Sequence, residues 1–383
     1  MSQLKQLATS FRVVSVIGPR QAGKTTLCQM AFQNYRYVSL EEPDIRQYAT
    51  QDPRGFLSDY NKYVIFDEIQ RVPQLLSYIQ TIVDKDQLKG QFILTGSHHL
   101  ELRQALSQSL AGRSALLTLL PLTIQELTSI TQESDLDSVI LNGLMPGMHH
   151  QEIPKKDFFR AYFQTYIERD VRQLIQLKDF TKFEKFIRLC AGRIGQLLNH
   201  ASLANEVGVS AVTINGWLSV LEASFIIYRL PPYFENFGKR LIKSSKLYFI
   251  DTGLAAWLLG IDESYQLKRD PLRGALFENL IIIESLKHLQ NQGKDARLFF
   301  FRDSIGNEVD LIFQYSRQLL PIEIKSSKTW HSSFLKGIKY FTKLTADRSL
   351  KGIVIYSGSE RRNNSNYQLL NYFDLQQIFY QTR

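Results

Sequence analysis

The stretch Arg12–Thr26, RVVSVIGPRQAGKTT, decides the fold. Its opening residues are apolar and β-branched, and they read as a buried strand feeding directly into a glycine loop. Gly18–Thr26 matches the pattern G-x-x-x-x-G-K-[ST]. The glycines let the backbone curl so that its amide hydrogens point at phosphates. The next segment, Thr25–Phe32, reads as a helix whose positive N-terminal end faces the same anion. Gly18, Pro19, Arg20, Gln21, Ala22, Gly23, Lys24, Thr25 and Thr26 therefore form the expected cradle for ATP. Lys24 is placed to reach the β- and γ-phosphates, and the Thr25 hydroxyl to ligate Mg²⁺.

Working outward, Tyr35–Leu40, Lys62–Phe66 and Gln91–Thr95 read as further strands separated by helical stretches. That alternation predicts an α/β fold with a parallel sheet covered on both faces, ending near Pro121. The third strand runs into Asp67 and Glu68. Asp67 suits the magnesium, held through water, and Glu68 the polarisation of the water that attacks the γ-phosphate. The fourth strand ends in Thr95-Gly96-Ser97. Ser97 is the first choice for bridging that water to the γ-phosphate, with Thr95 beside it, against the plainer role of a turn-forming serine. Arg113, in Ala-Gly-Arg, is the candidate finger that a neighbouring subunit would insert, with Arg103 second. Either also reads as an ordinary surface arginine.

The chain has 383 residues, enough for two or three domains. Hydrophobic residues make up 44% and charged residues 22%, the balance of a globular protein rather than a disordered one. The formal charge of +9 favours polyanion partners such as DNA or acidic membrane. Cys28 and Cys190 form neither a disulfide framework nor a zinc pattern, which fits a reducing, cytoplasmic setting. The N-terminal apolar run ends in the phosphate loop, which a cleaved leader would discard. No run is long enough to cross a bilayer, so no membrane role is expected.

From 122 to 178 the pattern turns helical, a lid or connector. Within 179–235, two short helical patterns flank Val207-Gly208-Val209, a helix-turn-helix signal. Phe225–Leu230 and Pro231-Pro232 follow it like a β-wing. Ser210, Thr213 and Asn215 are placed to reach bases or phosphates. The helix that carries them has no lysine or arginine, so the run Lys239, Arg240, Lys243, Lys246 is the better phosphate-contact candidate. A solvated charge run reads equally well there.

The segment 236–383 reads as a separate α/β unit. Glu308–Tyr315 and Leu319–Lys325 form an expected hairpin in which opposed residue numbers sum to about 633. Asp310 then faces Glu323, and Lys325 shares the face of Glu323. Glu278, on a preceding helix, adds a fourth member. Glu278, Asp310 and Glu323 would hold a metal whose bound water Lys325 orients, a phosphodiesterase arrangement. Alternating Glu and Lys on a solvated edge strand is the competing reading.

Taken together these pieces resemble bacterial and archaeal AAA-type ATPases whose C-terminal region carries the DUF4143 domain. The resemblance rests on GPRQAGKTTL at 18–27, FDEIQRVP at 66–73, LTGS at 94–97, AGR at 111–113 and PLTIQEL at 121–127. It continues through Asp251–Gly253 in KSSKLYFIDTGL, Phe277–Asn279, NEVD and IEIK. It implies an AAA-like domain over 1–121, a winged-helix middle and a restriction-endonuclease-like C-terminal fold. The nuclease pattern of that fold falls on Glu278, Asp310, Glu323 and Lys325. His98-His99 depart from the small residues usual after the sensor serine. The expected function is a magnesium-dependent ATP hydrolase, a homo-oligomer, acting on or regulated by DNA and carrying a nuclease site. The alternative is an ATP-driven regulatory switch whose C-terminal domain only binds DNA or protein.

Overall fold

Strands β1 (Val13–Ile17), β2 (Arg36–Ser39), β3 (Val64–Asp67), β4 (Phe92–Gly96) and β5 (Ser114–Thr118) form one sheet in the order 2-3-4-1-5. Every pairing in it is parallel. Every residue of β1, β3 and β4 is buried, as expected for a parallel sheet covered on both faces. Alternate side chains serve the two faces. Val13, Ile17, Val64, Phe66, Phe92 and Leu94 pack with residues of helices Pro43–Gln51, Pro53–Asp59 and Leu75–Asp86. Val14, Val16, Ile65 and Ile93 pack with Leu4 and Ala8 of the N-terminal helix and Cys28 and Ala31 of the helix after the glycine loop. The N-terminal helix and edge strand β5 were not anticipated from the sequence.

The computed structural model describes all residues except 98–108, 132–134, 151–152, 172–179, 235–242, 346–347 and 381–383. The chain divides into two compact units. The first is Met1–Pro121 with Ala223–Phe225 and Gln290–Lys294, and the second holds the rest.

The second unit begins with a helical run. Thr123 caps helix Ile124–Ile130 through the backbone N–H of Glu126, and the Glu126 carboxylate accepts from the Thr123 N–H, closing a capping box. The PLTIQEL signature is thus a helix start. Helices Phe180–Ala191, His200–Val207 and Ala211–Ala223 follow, the last two joined through Gly208 in the left-handed region. An antiparallel pair, β6 (Ile227–Leu230) and β7 (Lys246–Phe249), comes next. Bridges from Ile194 and Leu197 to Leu247 and Lys246 extend that pair.

The C-terminal sheet is mixed, with β8 (Leu298–Arg302), β9 (Glu308–Tyr315), β10 (Gln318–Lys325), β11 (Gly352–Tyr356), β12 (Arg362–Asn363) and β13 (Tyr367–Asn371) in the order 12-13-11-10-9-8. β9 and β10 pair in the expected register, Gln318 with Tyr315 and Ile322 with Leu311. Strand β13 lies parallel to β11 and was not foreseen, because Tyr367–Asn371 is too polar at its start to read as a buried strand.

Two signatures beyond the glycine loop have structural explanations. Asp251 caps helix Thr252–Leu259 through the Leu254 N–H at 3.0 Å and also accepts the Leu144 N–H at 2.7 Å. A Cβ on Gly253 would meet Phe159, Asn142 and Gly143 at 2.5–2.8 Å, so no larger residue fits. Asn279, fully buried on helix Arg273–Asn291, accepts the Phe249 N–H and donates to the Phe249 carbonyl, both at 2.7 Å. That amide completes the outer edge of β7. Asn279→Ala leaves both backbone groups buried without partners and is expected to cost about 3 kcal/mol of stability. Urea unfolding checks this, and an unchanged midpoint would refute it.

Candidate functional site

The glycine loop sits at the C-terminal end of β1, the second strand from one edge of the parallel sheet. Gly18 is required there: its φ is 158°, and a Cβ would lie 1.9 Å from the Leu119 carbonyl oxygen. Gly23, at φ 84°, leads into helix Lys24–Ala31. Lys24 is buried, and its ammonium donates to the Gly18 carbonyl at 3.1 Å and the Pro19 carbonyl at 2.8 Å. Burial lowers its pKa, opposed by the charges of Glu68 and Asp67.

Asp67 ends β3 and gathers three hydroxyls. Thr25 Oγ1 donates to its two oxygens at 3.0 and 3.1 Å, Tyr37 donates at 2.8 Å, and Thr95 also donates. Thr25 and Asp67 present hydroxyl and carboxylate oxygens side by side, the hard donors that Mg²⁺ takes. The donor set fits that ion. Glu68 follows with φ 57°, a left-handed conformation that is uncommon for a residue with a side chain. Its N–H donates to Thr95 Oγ1 at 3.2 Å. Ser97 donates to Glu68 Oε2 at 3.1 Å, and Gln70 donates both to that oxygen and to Ser97 Oγ, the latter at 3.2 Å. The two sensor candidates therefore divide the acids between them, Thr95 on Asp67 and Ser97 on Glu68. Tyr37 and Gln70 belong to the array and were missed from sequence. Gln70 stands two residues past Glu68 in FDEIQRVP, a signal that was available.

Arg113 stands just before β5, at the opposite end of the strands from the loop. The five residues of β5 put roughly 17 Å between them. It grips Asp84 with two nitrogens at 2.6 and 2.7 Å, and Arg12 shares that carboxylate at 2.9 Å. The hydrogen bond to Asp84 raises the Arg113 pKa. Arg103 and His98-His99 lie outside the described residues.

The second constellation lies in the C-terminal sheet. Lys325 Nζ is 3.1 Å from Asp310 Oδ2 and 2.7 Å from Glu323 Oε1, and Asp310 Oδ2 also accepts the Ile324 N–H at 2.8 Å. Glu278 is joined to this group by a residue read quite differently from sequence. Lys246 is 2% exposed, not part of a solvated basic run, and its ammonium lies 3.0 Å from Glu278 and 2.6 Å from Glu308. Tyr248 donates to Glu278 at 2.5 Å. Burial, then repulsion from Asp310, pushes the Glu323 carboxyl up to about 8. Burial likewise raises Glu278, against the pull of Lys246. Burial works against the Lys246 charge, but Glu278, Asp310 and Glu308 more than offset it and hold its pKa above the usual lysine value. Among the described residues no three acidic, histidine or cysteine side chains are grouped closely enough to hold one metal ion. The expected metal set of Glu278, Asp310 and Glu323 is interleaved with ammonium groups instead.

On the helix pair, Ser210 caps its helix through the Thr213 N–H, and the two hydroxyls bond each other at 2.9 Å. Asn215 and Lys243 are exposed, while Lys239 and Arg240 lie outside the described residues. No helix among the described residues is long and apolar enough to cross a membrane.

Three family models match the chain: an AAA domain over residues 10–128, a domain of unknown function (DUF8612) over 133–265, and another (DUF4143) over 273–375. An uncharacterized protein of Mycobacterium tuberculosis is 32% identical over 331 residues, covering 86% of this chain and 73% of that one. An uncharacterized protein of Methanocaldococcus jannaschii is 24% identical, covering 92% of this chain and 82% of that one. Among solved structures, a Walker-type ATPase of Pyrococcus abyssi is similar with a TM-score of 0.40 and 14% identity, over 67% of this chain and 93% of its own.

Proposed function

The chain belongs to the AAA-type P-loop ATPase family that carries a C-terminal DUF4143 domain, and from that premise we propose that it hydrolyses ATP with magnesium and acts on, or is regulated by, DNA. One observation carries the hydrolase reading: Lys24, Thr25, Asp67, Glu68 and Ser97 converge at one end of a parallel sheet, around the glycine loop. The loop amides and Lys24 bind the phosphates. Lys24 must leave the Gly18 and Pro19 carbonyls in part to meet them. Magnesium, when bound through Thr25 and Asp67, supplies charge neutralisation at the β- and γ-oxygens. Glu68 takes a proton from the attacking water as its oxygen bonds to the γ-phosphorus. The bond to the β,γ-bridging oxygen breaks, giving ADP and phosphate. Ser97 and Gln70 hold the Glu68 carboxylate in place for that transfer. Chelating magnesium is expected to abolish turnover.

Arg113 is read as a finger acting on a neighbour's nucleotide, since its own lies at the far end of the sheet. A mixing experiment tests this. Arg113→Ala and Lys24→Ala should each lose most turnover alone, and mixing the two should restore part of it. No recovery on mixing, or full activity of Arg113→Ala, would remove the finger.

The DNA reading is supported by the net charge and by the order of elements over 180–249, three helices followed by an antiparallel strand pair that isolated bridges from Ile194 and Leu197 extend, an order in keeping with the winged-helix reading. ATPase rates with and without double-stranded, single-stranded and branched DNA test it. No stimulation by any of them leaves the regulatory switch. A second reading is favoured for the C-terminal unit, in which the nuclease-like fold is a binding platform that does not cleave. It is favoured by the lysines that sit between Glu278, Asp310 and Glu323.

A further inference from the structure

Glu41 stands two residues past β2, at the end of the parallel sheet that carries the glycine loop. The strand pairing reaches almost to it, since the Leu40 N–H still donates to the Asp67 carbonyl at 3.1 Å. Two arginines share Glu41 Oε1. Arg20, inside the glycine loop, brings Nη2 to 3.8 Å. Arg71, which closes the short turn after Glu68, brings Nη2 to 3.6 Å. Both distances exceed a hydrogen bond, and Glu41 is half exposed, so neither ion pair holds its arginine firmly. The Arg20 side chain is turned inward, 21% exposed against 51% for Glu41.

Lys24 fixes where the terminal phosphate would lie. Its ammonium bonds the Gly18 and Pro19 carbonyls, so the phosphates that draw it off them sit beside residues 18–20. Burial is the main cause of the lowered Lys24 pKa, Glu68 and Asp67 oppose it, and the Arg20 charge adds to it. The Arg20 guanidinium is therefore within electrostatic reach of that ammonium. We propose that the Arg20 side chain distinguishes ATP from ADP, exchanging Glu41 for the γ-phosphate oxygens. This rests on the glycine loop being the ATP site. A guanidinium presents two parallel N–H donors that match phosphate oxygens. ADP offers no γ-phosphate, so with ADP bound Arg20 stays on Glu41. Arg71 remains beside Glu41 after the exchange, so that carboxylate keeps a cation in both states.

The test is calorimetric titration of the full chain, in magnesium, with ADP and with β,γ-methylene-ATP, which is not hydrolysed. Arg20→Gln should weaken the ATP analogue about tenfold or more and leave ADP within about twofold. Glu41→Gln should tighten the analogue about threefold, with a smaller gain for ADP. Adding Arg20→Gln should erase the preference for the analogue that Glu41→Gln creates. If Arg20 only shaped the loop through Glu41, both variants would weaken both nucleotides. Equal effects of Arg20→Gln on the two nucleotides, no effect on either, or weaker analogue binding by Glu41→Gln overturns the inference and leaves the loop as the ATP site. Glu41 is half exposed, so its variant is expected to fold and decides the matter even where Arg20→Gln does not. A wild type that binds neither nucleotide, or a Lys24→Ala chain that binds both as the wild type does, removes the loop as the ATP site and the inference with it.

Discussion

Lys24→Ala is expected to abolish ATP binding. The Lys24 ammonium is buried on two loop carbonyls, with desolvation already working against its charge. A triphosphate gives that charge strong acceptors in exchange. Charge-assisted hydrogen bonds contribute about 1.5–3 kcal/mol each, so losing contacts to two phosphates should weaken affinity roughly 10²- to 10⁴-fold. Titration with a fluorescent ATP analogue measures this directly. An affinity within threefold of wild type would show that the glycine loop is not a phosphate site. The fold should survive, because alanine keeps the helix and removes a buried charge.

Glu68→Gln separates binding from chemistry. Glutamine keeps the size and the hydrogen bonds that Ser97 and Gln70 can make, yet it cannot accept the water's proton. ATP affinity should stay within about threefold, while turnover falls by about 10³-fold, inside the range lost with a general base. Single-turnover measurements on pre-bound ATP distinguish a slowed chemical step from slowed product release. Wild-type turnover in Glu68→Gln would move the base elsewhere, and Asp67 could not easily replace it, since three hydroxyls already occupy its oxygens.

The sequence and the structure agree where local pattern carries the information. The strand-loop-helix at 13–31, the acids at 67 and 68, and the β9–β10 register are all set by neighbours in the chain, and each was legible. Lys246 was not. Its burial is determined by Glu278 and Glu308, 32 and 62 positions away, while its local surroundings read as a basic run. The same reason hid Tyr37, whose hydroxyl meets Asp67 only because β2 lies beside β3. Strands β5 and β13 escaped notice because each borders a sheet already begun elsewhere, and pairing to a distant strand makes up for a weak local signal. Asp251, Gly253 and Asn279 were recognised as signatures, but their work as a cap, a close approach and a bridge to the β7 backbone needed the folded chain.

Glu68 bears on how this protein can be altered. Its backbone occupies a region where glycine would be relaxed and glutamate is not. A screen that ranks substitutions by resistance to heat should therefore favour glycine at position 68, and the hardier protein it selects would have lost its proton acceptor. At this one residue, robustness and turnover are opposed by backbone geometry.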